Sequence, residues 1–158
     1  MTMMASEKSQ ATGRMVDVQV SGLTGHALNW AVFCAIYKGM QPAINVAEAG
    51  SHTMPGAMKP LQFPRHVSLS YTGAYGIECR WNPQGDWEQG GPLIARQQIS
   101  LEWDGADGKA LWWKATHQEI VQFQMGETPL IAACRAVVSA HLGEVVSVPA
   151  ELVEQINA

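Results

Sequence analysis

Three groups of residues in this chain have types and spacing that could do chemistry. Asn29-Trp30 sets an amide beside an indole, which could read the edge of a ligand held on the aromatic face. Its plainer reading is a packed Trp30 with Asn29 bonded to neighbouring backbone. Asp86-Trp87-Glu88-Gln89-Gly90-Gly91-Pro92-Leu93-Ile94 is the most distinctive stretch. Gly90 and Gly91 permit a close backbone approach, Pro92 suits the first turn of a short helix, and Trp87 offers a wall. Two glycine N–H groups and a helix N-terminus would then face an anionic or carbonyl group. The alternative is a tight turn anchored by Trp87. Third, Arg135 lies among Ala132, Ala133, Ala136 and Val137. It is either a solvated surface residue or a semi-buried one paired to a carboxylate or a ligand.

Signatures of catalysis are missing. The chain holds no Gly-x-x-x-x-Gly-Lys-Ser/Thr or Gly-x-Gly-x-x-Gly phosphate loop, no Gly-x-Ser-x-Gly elbow and no His-Glu-x-x-His. His26, His52, His66, His117 and His141 lack ligand spacing, and Cys34, Cys79 and Cys134 form no Cys-x-x-Cys pair. No catalytic residue, metal ligand or cofactor is nominated. A Cys/His or Asp/His pair could still be assembled by folding, so the reading leans away from an enzyme without closing that door.

The elements that must position these residues can be read from periodicity. Residues 1–14 read as a disordered leader, and 15–158 as one domain. Val16, Val18 and Val20 alternate with polar residues as a half-buried strand. Thr24 then caps a helix whose stripe is Leu28, Ala31, Val32, Ala35 and Ile36, with Gly39 as its stop. Residues 40–66, with Pro42, Pro55, Pro60 and Pro64, read as a long irregular connection. Val67–Tyr71 and Ile77–Trp81 are short extended pieces. Ile99–Trp103 and Ala110–His117 form a hairpin about the Asp104–Gly108 turn. Its residues Trp103, Trp112 and Trp113 read as core or interface, with a base-stacking platform as the alternative. Thr128 caps and Pro129 opens a second principal helix that ends at Gly143. Val145–Val148 is a strand, followed by a turn from Pro149. The expected class is α+β, a small mostly antiparallel sheet packed against two main helices.

Totals narrow the partners. A chain of 158 residues can bury a core without staples. Charged residues are only 15% of it, beside six Trp and eight Met, so apolar surface is left over and a homo-oligomer is expected. A net charge of -4 disfavours duplex nucleic acid, whose binding needs a basic face. Such a charge still allows an anionic small ligand held by one or two Arg. Unpaired cysteines fit a reducing compartment, and no apolar run reaches membrane-spanning length. A cytoplasmic location and no membrane partner are expected.

The motifs Leu28-Asn29-Trp30-Ala31-Val32, Asp86 to Ile94, Thr128-Pro129-Leu130-Ile131-Ala132-Ala133-Cys134-Arg135, Leu142-Gly143-Glu144-Val145-Val146 and Val148-Pro149-Ala150-Glu151-Leu152 occur in that order. In this order the chain resembles the NinX-like phage and prophage proteins, a domain of unknown function, over about residues 16–153. Departures fall in Gln41–Arg80, which is longer than in short members, and in Ile99–Met125, which carries no shared motif. The resemblance implies a small phage accessory protein in a host cytoplasm and implies no catalytic residues. The expected function is non-enzymatic binding of a small nucleotide-like ligand by an oligomer in phage–host conflict. Its site would use Asn29, Trp30, Trp87, Gly90, Gly91 and Arg135. The alternatives are a module that inhibits a host protein, through the Gln41–Pro64 loop and surplus Met and Trp, and a small nucleotide-acting enzyme.

Overall fold

Two helices rich in alanine and branched apolar residues organise the chain, because small side chains let them pack closely on strands from both sides. The computed structural model describes residues 7–9, 13–105 and 112–154. Helix α1 runs over Gly25–Ile36 and buries eight of its residues. Thr24 occupies its N-cap position but makes no side-chain capping bond, and the helix ends at Tyr37, just before Gly39 with φ of 80°. A later helix, Pro129–Leu142, is capped by Thr128, whose hydroxyl accepts from the Ile131 N–H at 3.1 Å. Gly143 ends it, as expected.

Around these helices stand four separate ladders rather than one sheet, every pairing among the described residues being antiparallel. In chain order the strands are β1 (Glu7–Ser9), β2 (Met15–Gln19), β3 (Ala43–Ala47), β4 (Gly50–His52), β5 (Leu61–Phe63), β6 (His66–Thr72), β7 (Glu78–Arg80), β8 (Ile99–Trp103), β9 (Trp113–His117), β10 (Phe123–Gly126) and β11 (Val145–Pro149). The orders are β1-β3-β6-β7, β10-β9-β8, β11-β2 and β4-β5. The remaining helices are α2 (Trp87–Gln97) and α4 (Ala150–Glu154), so the C-terminal principal helix is α3.

One core gathers α1, β3, β6, β2 and β11, with Leu28, Val32, Ile44, Leu69 and Val148 fully buried. The other forms where Ala132, Ala133, Ala136 and Val137 of α3 meet Ile99 and Ala115 of the β8–β10 sheet. Helix α3 therefore lies between the two, and nine of its fourteen residues are buried.

Several expectations need correction. Residues 40–66 are not irregular: Ile44 and Val46 alternate inward as β3, and β4–β5 form a hairpin, since prolines at the ends of strands leave the ladders intact. Within the stretch read as leader, Glu7–Ser9 pairs with β3. The rest of that stretch through residue 12 lies outside the described residues, as does the hairpin tip at 106–111. Strand β10 was not expected. Phe123 and Met125 alternate with polar neighbours over only four residues, too few for a clear period. The turn after Pro149 is the short helix α4.

Helix α2 is the largest correction. It begins at Trp87, so Gly90 and Gly91 are helical and Pro92 is interior instead of in the first turn. Asp86 makes this possible by accepting the Glu88 N–H at 2.9 Å, a side-chain cap that nucleates the helix ahead of both glycines.

Candidate functional site

Arg135 is 6% exposed on α3. Its Nε donates to the Leu23 carbonyl at 2.9 Å and its Nη1 to the Met125 carbonyl at 2.6 Å. These bonds tie α3 to the turn after β2 and to the end of β10. Neither partner is a carboxylate, which corrects the carboxylate pairing considered from the sequence. Burial pushes the guanidinium pKa down, and the field of Glu127 opposes that shift. A guanidinium has five donors, so two bonds leave capacity for another acceptor.

That capacity borders a cleft of about 580 Å³. Gln19 and Ser21 form one wall at the end of β2, and Val121 to Met125 form the other along β10. Trp112 and Phe123 add aromatic surface, while Glu144 adds a carboxylate at the start of β11. Phe123 is half exposed, and Lys114 Nζ lies 4.3 Å from its ring centre. The arrangement offers a cationic fork, flat apolar walls and acceptors for hydroxyl groups. The volume falls in the usual range for a small-molecule site.

Asn29 lies elsewhere and is fully engaged. Its Nδ2 donates to Asn82 Oδ1 at 2.8 Å, and its Oδ1 accepts the Gln84 N–H at 3.0 Å. Its backbone carbonyl accepts the Trp81 indole N–H at 2.7 Å. Gln89 extends this network from α2 by accepting the Asn82 N–H at 2.6 Å. The outcome is a clasp holding residues 80–86 on α1. Trp30 is buried in the first core, and its indole Nε1 has no hydrogen-bond partner among the described residues. It borders a separate groove of about 510 Å³ with Cys34, Met40 and Leu142.

The glycine pair acts in packing. Gly90 donates its N–H to Asp86 O at 2.8 Å, so that donor is spent within the helix. A Cβ on Gly90 would overlap Pro83 O and come within 2.5 Å of Leu130 Cδ2. Trp87 is 58% exposed. None of Asn29, Trp30, Trp87, Gly90 or Gly91 lines the Arg135 cleft. Of the six candidate residues, the cleft gathers Arg135 alone. Trp112, weighed from the sequence as part of a base-stacking platform, lines the cleft, while Phe123, Gln19 and Glu144 were missed. These residues come from separate places in the chain, and no local spacing could have grouped them.

Folding also joins two histidines that sequence spacing kept apart. His117 Nε2 and His141 Nε2 both meet Gln97 Oε1, at 3.1 and 2.8 Å. His117 Nδ1 accepts the Glu119 N–H at 3.1 Å, which assigns the proton to Nε2 and leaves neither nitrogen free. This latch joins α2, β9 and α3. Burial, His117 and Lys38 push the pKa of His141 down, while Glu119 opposes them. Among the described residues no three His, Cys, Asp or Glu side chains are grouped to hold a metal. Nor is any helix of the described residues long and apolar enough to cross a membrane.

No curated protein matches the chain. A family model does, over residues 19–141, and that range spans both the longer Gln41–Arg80 stretch and Ile99–Met125, which carries no shared motif. The match covers three-quarters of the chain, a range in which Arg135 and most of its cleft lie, and the chain belongs to the family described as "Bacteriophage P22, NinX", a phage family of unknown function.

Proposed function

We propose that this protein binds a small nucleotide-like ligand in the Arg135 cleft and performs no chemistry on it. The observation that supports this reading is the guanidinium itself. It is buried, fixed by two backbone carbonyls and beside a cleft with aromatic walls, yet forms no ion pair among the described residues. A phosphate or ring carbonyl satisfies such a fork well. Trp112 and Phe123 supply flat surface for a base, and Glu144 can accept from sugar hydroxyls. In a phage protein, holding such a compound would withhold a host signal. Assembly as a homo-oligomer in the host cytoplasm belongs to the same reading.

A thermal-shift screen of the full chain against mono-, di- and cyclic nucleotides tests it. A ligand at 100 times its dissociation constant adds about 2.7 kcal/mol to stability. No shift with any nucleotide would sink the proposal, and turnover of a bound compound would promote an enzyme instead.

A second reading has its own observation. The β4–β5 hairpin carries Met54, Met58, Leu61 and Phe63 in exposed positions, with Met58 wholly exposed. An isolated two-stranded ladder with exposed apolar residues is the kind of arm a partner protein covers. On this reading the protein docks on a host protein, and deleting residues 53–60 would abolish that binding while leaving nucleotide shifts intact.

A further inference from the structure

A buried titratable group outside the Arg135 cleft holds part of the cleft's wall. His117 ends β9 and is only 3% exposed. Residues 118–122 connect β9 to β10, and Val121 and Gln122 of this connection line the cleft. Two bonds fold the connection back onto His117. The Glu119 N–H donates to His117 Nδ1 at 3.1 Å, and the Ile120 N–H donates to the His117 carbonyl at 3.2 Å. Packing adds little at this point. Val121 is 98% exposed, and Ile120 and Gln122 border a cavity of about 350 Å³ with Ser139 of α3 and Glu144.

The Glu119 bond needs a ring nitrogen without a proton. Neutral His117 supplies one, because its single N–H is at Nε2 and donates to Gln97 Oε1 at 3.1 Å. A second proton can enter only at Nδ1, where it would face the Glu119 N–H, two donors with no acceptor between them. The closed connection therefore binds one proton fewer than the open one, and acid favours opening. His141 of α3 has its ring centre 5.9 Å from that of His117, and Lys38 and Glu119 act on His141 through their charges. Gln97, the contact from α2, is neutral.

We propose that His117 is a proton-operated catch: neutral, it holds residues 118–122 in place as a wall of the Arg135 cleft, and protonated, it releases them. The catch operates whether or not the cleft takes a nucleotide, and its test needs no ligand.

Amide hydrogen exchange of the full chain, followed by NMR at pH 7.5 and 5.5 and corrected for intrinsic rates, tests it. Protection of the Glu119 N–H should fall about 10-fold at the lower pH, which lies about one unit below the ordinary histidine pKa. His117→Asn places Oδ1 where Nδ1 stood, so it accepts the same N–H without titrating, and protection should hold. His141→Gln should keep the wild-type fall. Unchanged Glu119 protection in wild type would overturn the proposal. So would an equal fall in His117→Asn, or loss of the fall in His141→Gln. Nitrogen NMR of the wild-type imidazoles gives a readout that depends on no variant. His117 Nδ1 should be unprotonated at pH 7.5 and gain its proton in step with the Glu119 change; a proton on Nδ1 at pH 7.5 would equally overturn the proposal.

Discussion

At Arg135, burial and hydrogen bonding make opposite demands, and the two carbonyl bonds reconcile them. Arg135→Met should remove the cleft's cation and orphan both carbonyls, at about 1–3 kcal/mol for each buried group left unpaired. Urea denaturation checks this. Asn29→Ala should cost a similar amount, because it strands the Gln84 N–H and the Asn82 side chain, but it should not change ligand affinity. The thiols separate by burial too. Cys34 is pushed up to about 11 and Cys134 to about 12, so neither forms thiolate near neutral pH. Alkylation by iodoacetamide at pH 7.5, read by mass spectrometry of the native chain, should spare both. Modification of Cys134 without unfolding would contradict its burial.

Helix α2 shows what an element hides from local reading. Asp86 and Gln89 stand three residues apart, the spacing of a capping box, and Asp86 does cap the helix at Glu88. The reading from sequence set the helix start after the glycines, at Pro92, because glycine and proline normally disfavour a helix interior. Tertiary contact reversed the preference at Gly90, where any Cβ would meet Pro83 and Leu130. Gly90→Ala should therefore destabilise strongly. Gly91→Ala meets nothing nearer than Trp87 Cε3 at 4.0 Å and should stabilise by about 0.5–1 kcal/mol. Thermal melts of the two variants moving in the same direction would contradict the packing described here. The principal helices and the hairpin were legible because twelve- and fourteen-residue stripes or five-residue alternations repeat their period. Strands β3 and β10 were not, being short and flanked by proline or polar residues. The cleft was legible only at Arg135 and, as a possible stacking surface, Trp112, since its other walls are joined by folding and not by sequence.

For the molecule as a whole, two histidines whose pKa is lowered contribute to the response to acid. His26 is lowered by burial and by the fields of His66 and Arg80, and His141 by burial, His117 and Lys38. Both stay neutral when folded below the pH at which the unfolded chain protonates. The unfolded state then binds more protons, so stability is full above about pH 6.5 and falls as pH drops below it. His141→Gln should flatten that acid limb, as read from urea midpoints between pH 7.5 and 5; an identical slope in the variant would assign the loss to other groups. The Arg135 cleft carries the principal claim. The measurement that tests it most directly is calorimetric titration of whichever nucleotide shifts the melting temperature most, into wild type, Phe123→Ala, Arg135→Met and Trp87→Ala. The cleft predicts weakened binding in the first two variants and unchanged affinity in Trp87→Ala. Full affinity in both Phe123→Ala and Arg135→Met, with loss in Trp87→Ala, would place the ligand on α2 and contradict the account.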